Sequence, residues 1–294
     1  MPGAKVHLNG RLVPADQAAV SVTDAGLLHG ASAFTTMLAH NGRIFRLDRH
    51  IARLMGTVEL LSLRIDPDLS AEKVAAAARE VLAANGLSEA RMRITLTPGS
   101  VREPPEAPPT VLITADPLPD YPPQWYEGGV RVVVASFKQV GGDPTFGHKT
   151  GCYLPRVLAR REAAAKGAEE ALWFTADNRL AEACFCNVFL AAGGKLATPP
   201  ADTPVLPGVV RGAVIELCGE LGIDCDTRTP LTVHEMLAAE EMFLTASCSG
   251  IRPVVGVERH TIGDGKPGRI TRNIMSAYRE LLERECPARR DGKA

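Results

Sequence analysis

The chain has 294 residues, of which 45% are hydrophobic, and its 33 basic residues nearly balance its 34 acidic ones. This composition excludes a disordered chain and suffices for one large or two modest domains with hydrophobic cores. A net charge near zero creates no global field that attracts nucleic acid or an anionic membrane, so we expect a small-molecule partner. The first residues contain no apolar signal core, and no window approaches the roughly 18 apolar residues of a membrane-spanning helix. We therefore expect a soluble, cytosolic protein.

Seven cysteines are spread irregularly along the chain. An odd number without regular spacing does not indicate a disulfide framework, so we expect reduced thiols. Cys184 and Cys186 are separated by one residue, whereas zinc-binding pairs usually have about two to four residues between them and a second pair nearby. The seven histidines include no His-x-x-x-His pair. We therefore predict no metal site.

Hydrophobic patterning in the first part of the chain predicts a small α+β domain over residues 1–117. Two short apolar runs flank Asn9-Gly10, a strong signal for a β-hairpin over residues 6–13. The other elements predicted here are a second hairpin at 33–46 with its turn at 40–42, helices at 47–63 and 68–84, and strands at 91–97 and 110–115.

A proline-rich stretch follows and predicts an interdomain linker at 118–123, because closely spaced prolines disfavour both helix and strand. The region 124–294 is predicted to be a larger domain with a barrel-like sheet and helices. Its predicted strands are 129–135, 171–175, 187–191 and 241–245, and its predicted helices are 153–165, 208–221, 233–239 and 269–283. The polar end of the chain, 286–294, is expected to fray.

Three motifs in one order provide an amine, a carboxylate and a helix start that favours anions. Lys149 follows a glycine-rich loop, Glu182 follows a turn 33 residues later, and Pro207-Gly208-Val209-Val210-Arg211 precedes a predicted helix. Pyridoxal phosphate requires a lysine amine for its imine, a carboxylate at its pyridine nitrogen and backbone N–H groups for its phosphate. Unpaired N–H groups and the helix dipole supply the last of these. Each motif is weak alone, and the ordered set indicates a pyridoxal-phosphate site.

The ordered set resembles the class IV, fold-type IV pyridoxal-phosphate enzymes, a family that includes branched-chain and D-amino-acid aminotransferases and aminodeoxychorismate lyase. The resemblance covers nearly the whole chain. It implies a two-domain α+β fold, pyridoxal 5'-phosphate as cofactor, amino-acid and 2-oxo-acid substrates, and a homodimer in which the second subunit borders the site between domains.

The resemblance also implies catalytic and cofactor-binding roles. Lys149 is expected to carry the cofactor and to move the Cα proton, with Glu182 at the pyridinium nitrogen and Tyr153 bonded to the phenolic oxygen or the lysine. Core packing is the alternative for Tyr153. The expected cofactor-binding residues are Arg53, Lys149, Glu182, Asn187, Leu206, Gly208, Val209, Val210 and Ser247.

Within this set, each expected contact follows from the matching motif. Asn187 ends the pattern Glu-x-x-x-x-Asn, Leu206 is expected to pack on the cofactor ring, and the Val209 and Val210 amides are expected to bind the phosphate. Ser247 lies in a sequence that matches a second phosphate loop, and Arg53 matches an arginine that reaches the phosphate from the small domain. An exposed helix face that includes Arg46 and Arg49 is the alternative for Arg53.

The small domain is expected to set the reaction, and its motifs leave two alternatives open. Phe34-Thr35-Thr36 resembles the lyase, whereas the residues after Lys149 differ from the lyase pattern. Pro98 stands where relatives often have an arginine that grips a substrate carboxylate. The expected substrate-side residues are His29, Phe34, Thr35, Thr36, Arg91, Arg93 and Cys248.

Transamination between an amino acid and a 2-oxo acid is the leading hypothesis, because the lyase pattern is incomplete. The alternative is 4-amino-4-deoxychorismate lyase, which releases pyruvate and 4-aminobenzoate. A binding protein without turnover is a hypothesis from another class, and the presence of both Lys149 and Glu182 argues against it. Motifs of hydrolases and phosphate-loop enzymes do not occur in the sequence.

Overall fold

The structure is a computed structural model that describes residues 3–102 and 107–288. It divides into two compact units. The first unit comprises the chain up to Pro119, the four residues Lys149–Cys152 and the chain from Leu281 onward. The second comprises Asp120–His148 and Tyr153–Glu280. Both units combine helices with a sheet, which confirms the predicted α+β class.

The boundary after Pro119 lies inside the predicted linker at 118–123. Two segments group differently from the predicted domains 1–117 and 124–294. They are the short segment at Lys149 and the end of the chain, both of which belong to the first unit. The predicted domain limits themselves stay a prediction.

The first unit contains a six-stranded sheet in the order β2-β1-β6-β5-β3-β4. Asn9-Gly10 and Asn41-Gly42 all have positive φ, and each pair closes one of the two predicted hairpins. The strands are β1 (Lys5–Leu8), β2 (Arg11–Pro14), β3 (Ala33–His40), β4 (Arg43–Ile44), β5 (Ala90–Thr97) and β6 (Thr110–Pro117).

Three helices belong to the first part of the chain: α1 (Ala25–His29), α2 (Leu47–Leu60) and α3 (Ala71–Ala84). The helix α3 begins later than predicted because Ser70 is its N-cap and accepts a hydrogen bond from Lys73 N. Buried residues of α2 and α3 pack with Met37 of β3 and Ile94 of β5 in one hydrophobic core. This core fixes α2 and β3, two of the elements that carry candidate site residues of the first unit.

The second unit contains a mixed nine-stranded sheet in the order β12-β11-β10-β13-β14-β7-β8-β9, with β15 paired to β14. Its strands are β7 (Val130–Gln139), β8 (Glu170–Thr175), β9 (Leu180–Ala183), β10 (Asn187–Ala192), β11 (Lys195–Ala197), β12 (Cys225–Asp226), β13 (Glu241–Ala246), β14 (Gly250–Val257) and β15 (His260–Thr261). The later helices are α4 (Gln124–Glu127), α5 (Leu154–Ala165), α6 (Val209–Glu220), α7 (Val233–Ala238) and α8 (Arg269–Glu285).

The strand β14 was not predicted, although it lies between β13 and β7 inside the sheet. Pro253 and the buried Arg252 interrupt its hydrophobic pattern, and proline usually marks an edge strand. At the end of the chain, the expected fraying is wrong for Cys286, which is buried and whose carbonyl accepts a hydrogen bond from Asn41. Residues 289–294 of that predicted tail lie outside the described residues. Among the described helices, none is both long and apolar enough to span a membrane.

Candidate active site

Lys149 lies on a short segment that is hydrogen bonded to the start of β3. Lys149 O accepts from Phe34 N at 2.8 Å, and Gly151 N donates to Ser32 O at 3.0 Å. An antiparallel bridge lies between these two bonds. The segment therefore extends the sheet of the first unit and fixes the backbone that carries the Lys149 side chain.

The Lys149 amine and the Arg93 guanidinium both lie near the ring of Phe34. Lys149 Nζ is 5.2 Å from the ring centroid, and Arg93 Cζ is 3.6 Å from it. An aromatic ring attracts cations at such distances. Arg93 also donates from Nε to Thr95 Oγ1 at 3.1 Å. The structure thus brings together Lys149, Phe34 and Arg93, three of the predicted site residues.

Arg53 is held by Thr35 of β3 and His50 of α2. Arg53 Nη2 lies 3.1 Å from Thr35 Oγ1 and 3.4 Å from His50 Nδ1. Because a guanidinium only donates, Thr35 Oγ1 accepts from it. Thr35 Oγ1 and His50 Nδ1 form a second hydrogen bond at 3.0 Å. This network fixes the orientation of the Arg53 head group.

His50 is neutral in this network. Burial lowers the pKa of His50 well below its usual value, and the positive charges of Arg53 and Lys149 lower it further. A neutral ring orients Arg53 without adding a positive charge beside it. The positive charges near His50 therefore belong to Arg53 and Lys149, two groups that suit an anionic ligand.

The contacts of the other predicted substrate-side residues show which of them lies beside Lys149. Arg91 and Arg93 share one face of β5, as alternation along a strand predicts, but Arg91 forms an exposed ion pair with Asp116 at 3.6 Å. Thr36 is half-buried opposite Arg93. His29 is exposed at the end of α1. Of the two arginines, Arg93 is therefore the one that lies beside Lys149 and Phe34.

The second unit places the Glu182 carboxylate in a buried hydrogen-bond network on β9. Its Oε1 accepts from Arg156 Nη2 at 2.5 Å, and its Oε2 accepts from Leu206 N at 3.0 Å and Asn187 Nδ2 at 3.3 Å. Only 4% of the Glu182 side chain is exposed. The sequence predicted a carboxylate after a turn, and the structure adds that a strand positions it and that donors fix both of its oxygens.

Asn187 connects Glu182 to the loop before α6. Its Nδ2 donates to Leu206 O at 2.9 Å as well as to Glu182. A Cβ atom at Gly208 would overlap Asn187 Oδ1, so this position requires glycine. Leu206 contacts the network through its backbone N and O, and the expected packing of its side chain on a cofactor ring stays a prediction. The predicted residues Glu182, Asn187, Leu206 and Gly208 thus form one connected cluster.

The first turn of α6 has the properties of an anion site. Its N-cap, Gly208, supplies no side-chain hydrogen bond, and the first N–H groups of a helix have no acceptor within the helix. Val209 and Val210 are buried at this end. The Arg211 side chain forms hydrogen bonds outside this turn: it donates to Pro199 O at 3.0 Å and to Thr198 Oγ1 at 3.3 Å.

Thr245 of β13 lies directly opposite Asn187 of β10. Its Oγ1 is buried without a hydrogen-bond partner among the residues that the structure describes. Ser247 and Cys248 follow in the turn after β13 and are half-buried. The orphan hydroxyl and the uncapped helix start fit a bound phosphate, and the Glu182 carboxylate fits a protonated ring nitrogen. The residues present therefore fit pyridoxal phosphate.

Tyr153 is the N-cap residue of α5 and is half-buried. Its ring lies 6.0 Å from the Phe185 ring and 5.4 Å from Arg156 Cζ. These contacts place Tyr153 beside the partner of Glu182. The expected hydrogen bond of its hydroxyl to the cofactor or lysine stays a prediction.

Cys184 and Cys186 have the properties of buried, protonated thiols. Burial raises the pKa of Cys184 to about 11 and that of Cys186 to about 12. Metal ligation requires the thiolate, which is scarce at neutral pH for such groups. Across 3–102 and 107–288, no three potential metal-ligating side chains form a group.

Sequence reasoning missed three residues of these clusters. His50 lies three residues before Arg53 on α2, a spacing that places side chains on one helix face and could have indicated it. Arg156 has no comparable signal, because a lysine or arginine on a helix is usually exposed. Thr245 begins the sequence that resembles a second phosphate loop, in which only Ser247 was singled out.

Gly151→Ala is expected to displace the Lys149 segment. The new Cβ would lie 2.5 Å from Gly30 O and 2.6 Å from Ser32 Oγ, closer than such atoms approach in folded proteins. We expect a lower free energy of unfolding, by about 1–3 kcal/mol as for other overpacked sites, and faster amide-hydrogen exchange at Phe34. Gly141→Ala is the matched control, since a Cβ there meets nothing within 4 Å. Indistinguishable exchange rates at Phe34 in the two variants would contradict this account.

Comparison with known proteins identifies the family of this chain. The family model for amino-transferase class IV matches residues 32–257. A Methanocaldococcus jannaschii protein assigned as a branched-chain-amino-acid aminotransferase is 32% identical over 284 residues, which cover 94% of this chain and 96% of that protein.

Two solved structures have the same fold. The branched-chain aminotransferase of the archaeon Thermoproteus uzoniensis, solved with norvaline, has a TM-score of 0.86 at 30% identity and covers 96% of this chain and 95% of its own. The Pseudomonas aeruginosa 4-amino-4-deoxychorismate lyase has a TM-score of 0.81 at 29% identity, with coverage of 95% and 99%. The family match, which spans Lys149, Glu182 and the start of α6, shows that this chain is an enzyme of the class IV aminotransferases.

Proposed function

We propose that this chain transfers the amino group of a branched-chain amino acid to a 2-oxo acid, with pyridoxal phosphate as its cofactor. One observation carries the proposal: within the second unit, Leu206 and Asn187 connect the buried Glu182 carboxylate to the uncapped start of α6. An acid and an anion site joined in this way suit the ring nitrogen and the phosphate of one cofactor. The branched-chain substrate is supported by the similarity to the Methanocaldococcus jannaschii protein.

Several residues of this chain would hold the cofactor. Within the second unit, the Val209 and Val210 amides and the Thr245 and Ser247 hydroxyls would supply donors for a phosphate dianion. Arg53 is the further donor that the family resemblance implies. When bound, pyridoxal phosphate withdraws electrons from the Cα of an attached amino acid. Glu182 accepts the ring N–H and keeps the positive charge on the ring nitrogen, which strengthens this withdrawal.

Lys149 supplies the covalent attachment and then the base. Its amine would hold the cofactor covalently, and the same amine, when free, would move the Cα proton of the substrate. Arg93, which lies beside Lys149 at the Phe34 ring, is suited to bind a substrate carboxylate. Phe34 contributes an apolar surface that a branched side chain can contact.

The lyase is the second candidate, and the similarity to the Pseudomonas aeruginosa enzyme favours it. Phe34-Thr35-Thr36 was the motif that resembled the lyase. In the structure, however, Thr35 is fully buried and its hydroxyl is bonded to Arg53 and His50. Because Thr35 orients Arg53, a role that is compatible with either reaction, the motif does not distinguish transamination from the lyase reaction.

We also propose that the chain forms a homodimer. Val22, Leu27 and Leu28 of the first unit are 78%, 66% and 51% exposed, and grouped apolar side chains of this kind favour burial against another surface. Light scattering at several concentrations is expected to give twice the mass of the chain. A monomer mass at every concentration would contradict the dimer. The cytosolic location stays a prediction.

Lys149→Ala is expected to abolish covalent attachment of the cofactor. After borohydride reduction, intact-mass measurement should find a phosphopyridoxyl group, which is the cofactor less water plus two hydrogens, on the wild-type chain and none on the variant. Turnover should fall by at least roughly 100-fold, since the Cα base is lost. Lys138→Ala, which removes an exposed lysine bonded to Asn178, is the control and should retain both properties. Trapped cofactor in Lys149→Ala would remove Lys149 from its proposed role.

The amino donor is tested by absorbance of the cofactor-loaded enzyme with separate L- and D-amino acids. A branched-chain donor is expected to convert the absorbance band to that of pyridoxamine phosphate, and 2-oxo acid should return it. Aminodeoxychorismate is assayed in parallel for pyruvate. Pyruvate release without conversion of the band by any amino acid would replace the aminotransferase proposal by the lyase.

A further inference from the structure

Arg156 of α5 is a buried cation that contacts Glu182 and the end of β9. Its Nη2 donates to Glu182 Oε1 at 2.5 Å, and its Nη1 donates to Ala183 O at 3.2 Å and Cys184 O at 3.0 Å. The side chain is 10% exposed. One guanidinium therefore fixes both the carboxylate and the backbone on which that carboxylate is carried.

Two aromatic rings surround the same guanidinium. Arg156 Cζ lies 5.4 Å from the Tyr153 ring centroid and 5.8 Å from that of Trp173. Burial opposes the charge of Arg156, whereas the Glu182 carboxylate raises the pKa of the guanidinium above its ordinary value. Arg156 is therefore charged, and the Glu182 carboxylate is its hydrogen-bonded partner within this shielded surrounding.

Hydrogen bonds to both oxygens fix the orientation of the Glu182 carboxylate. Arg156 occupies Oε1, whereas Leu206 N and Asn187 Nδ2 occupy Oε2. Stability alone does not require this arrangement, because a buried ion pair is often replaceable by apolar side chains without loss. A buried cation that contacts one carboxylate oxygen can instead decrease the tendency of that carboxylate to bind a proton.

We propose that Arg156 is a positioning residue that keeps Glu182 ionised and directed, so that a proton shared with the cofactor's ring nitrogen stays on the nitrogen. This inference rests on the proposed function. The physical reason is electrostatic: a cation beside Oε1 stabilises the negative carboxylate and disfavours transfer of the shared proton onto it. Without that cation, the buried carboxylate becomes the better base, and the ring nitrogen loses its positive charge.

The test uses holoenzyme loaded with pyridoxal phosphate that is ¹⁵N-labelled at the ring nitrogen. In the wild type, the ¹⁵N resonance is expected at the position of a protonated pyridine. Arg156→Met removes the charge and should move the resonance toward that of a neutral pyridine. Arg156→Lys retains a cation and should return the resonance at least part of the way. Arg161→Met is the matched control, because Arg161 is exposed on the same helix, and it should leave the resonance unchanged.

Activity provides a second readout. Single-turnover conversion of the cofactor by an amino acid should slow by roughly 10- to 100-fold in Arg156→Met, the range found when an outer partner of a site is removed. Arg156→Gln is a second neutral variant whose amide can still donate to the carbonyls of Ala183 and Cys184. Circular dichroism and thermal unfolding establish whether each variant is folded.

The outcomes separate this inference from the proposed function. An unchanged ¹⁵N resonance in a folded neutral variant would overturn the role of Arg156 and leave the cofactor proposal intact. Failure of both neutral variants to fold would assign Arg156 to stability alone and would also overturn it. A wild-type chain that binds no labelled cofactor would instead refute the proposed function itself.

Discussion

The candidate site residues of the second unit are organised around one buried carboxylate, that of Glu182. A charge with 4% exposure must be compensated within the protein, and the compensation comes from Arg156, Leu206 N and Asn187. Two of these donors also fix secondary-structure elements. Arg156 connects α5 to the end of β9, and Asn187 is hydrogen bonded to the loop that precedes α6. The requirement for glycine at 208 follows from the same cluster, because Asn187 approaches the backbone there.

In the first unit, several positively charged side chains lie close to one sheet. Arg53 and Lys149 both lower the pKa of the buried His50, and a protonated His50 would add to their repulsion. The neutral ring instead contacts the Arg53 guanidinium and helps to orient it. On the other side of the strand, Arg93 places its guanidinium on the face of the Phe34 ring. Each guanidinium is thereby held in one orientation, and each suits an anionic ligand.

The sequence predicted these features to the extent that each depends on local pattern or on motif order. Asn-Gly turns indicated both hairpins, and the succession of Lys149, Glu182 and the α6 motif indicated the family. The strand β14 escaped because Pro253 and Arg252 break its alternation, although its neighbours in the sheet bury it. Arg156 escaped for a related reason: its carbonyl partners come from residues 27 and 28 positions later, and no helical pattern contains that information. Partners brought together by the fold are visible only in three dimensions.

The reaction that the enzyme catalyses, transamination or lyase chemistry, also depends on three-dimensional contacts that a sequence motif does not show. Phe34-Thr35-Thr36 resembles the lyase in sequence, yet Thr35 and Phe34 have different contacts in the structure. Thr35 faces α2 and bonds to Arg53, whereas Phe34 contacts Arg93 and Lys149 on the other side of the strand. A residue that orients the arginine proposed to bind phosphate is compatible with any reaction of the cofactor. We therefore propose that specificity arises from the face of Phe34, Thr36 and Arg93, since a few contacts with a substrate's carboxylate and side chain would suffice to separate the two chemistries.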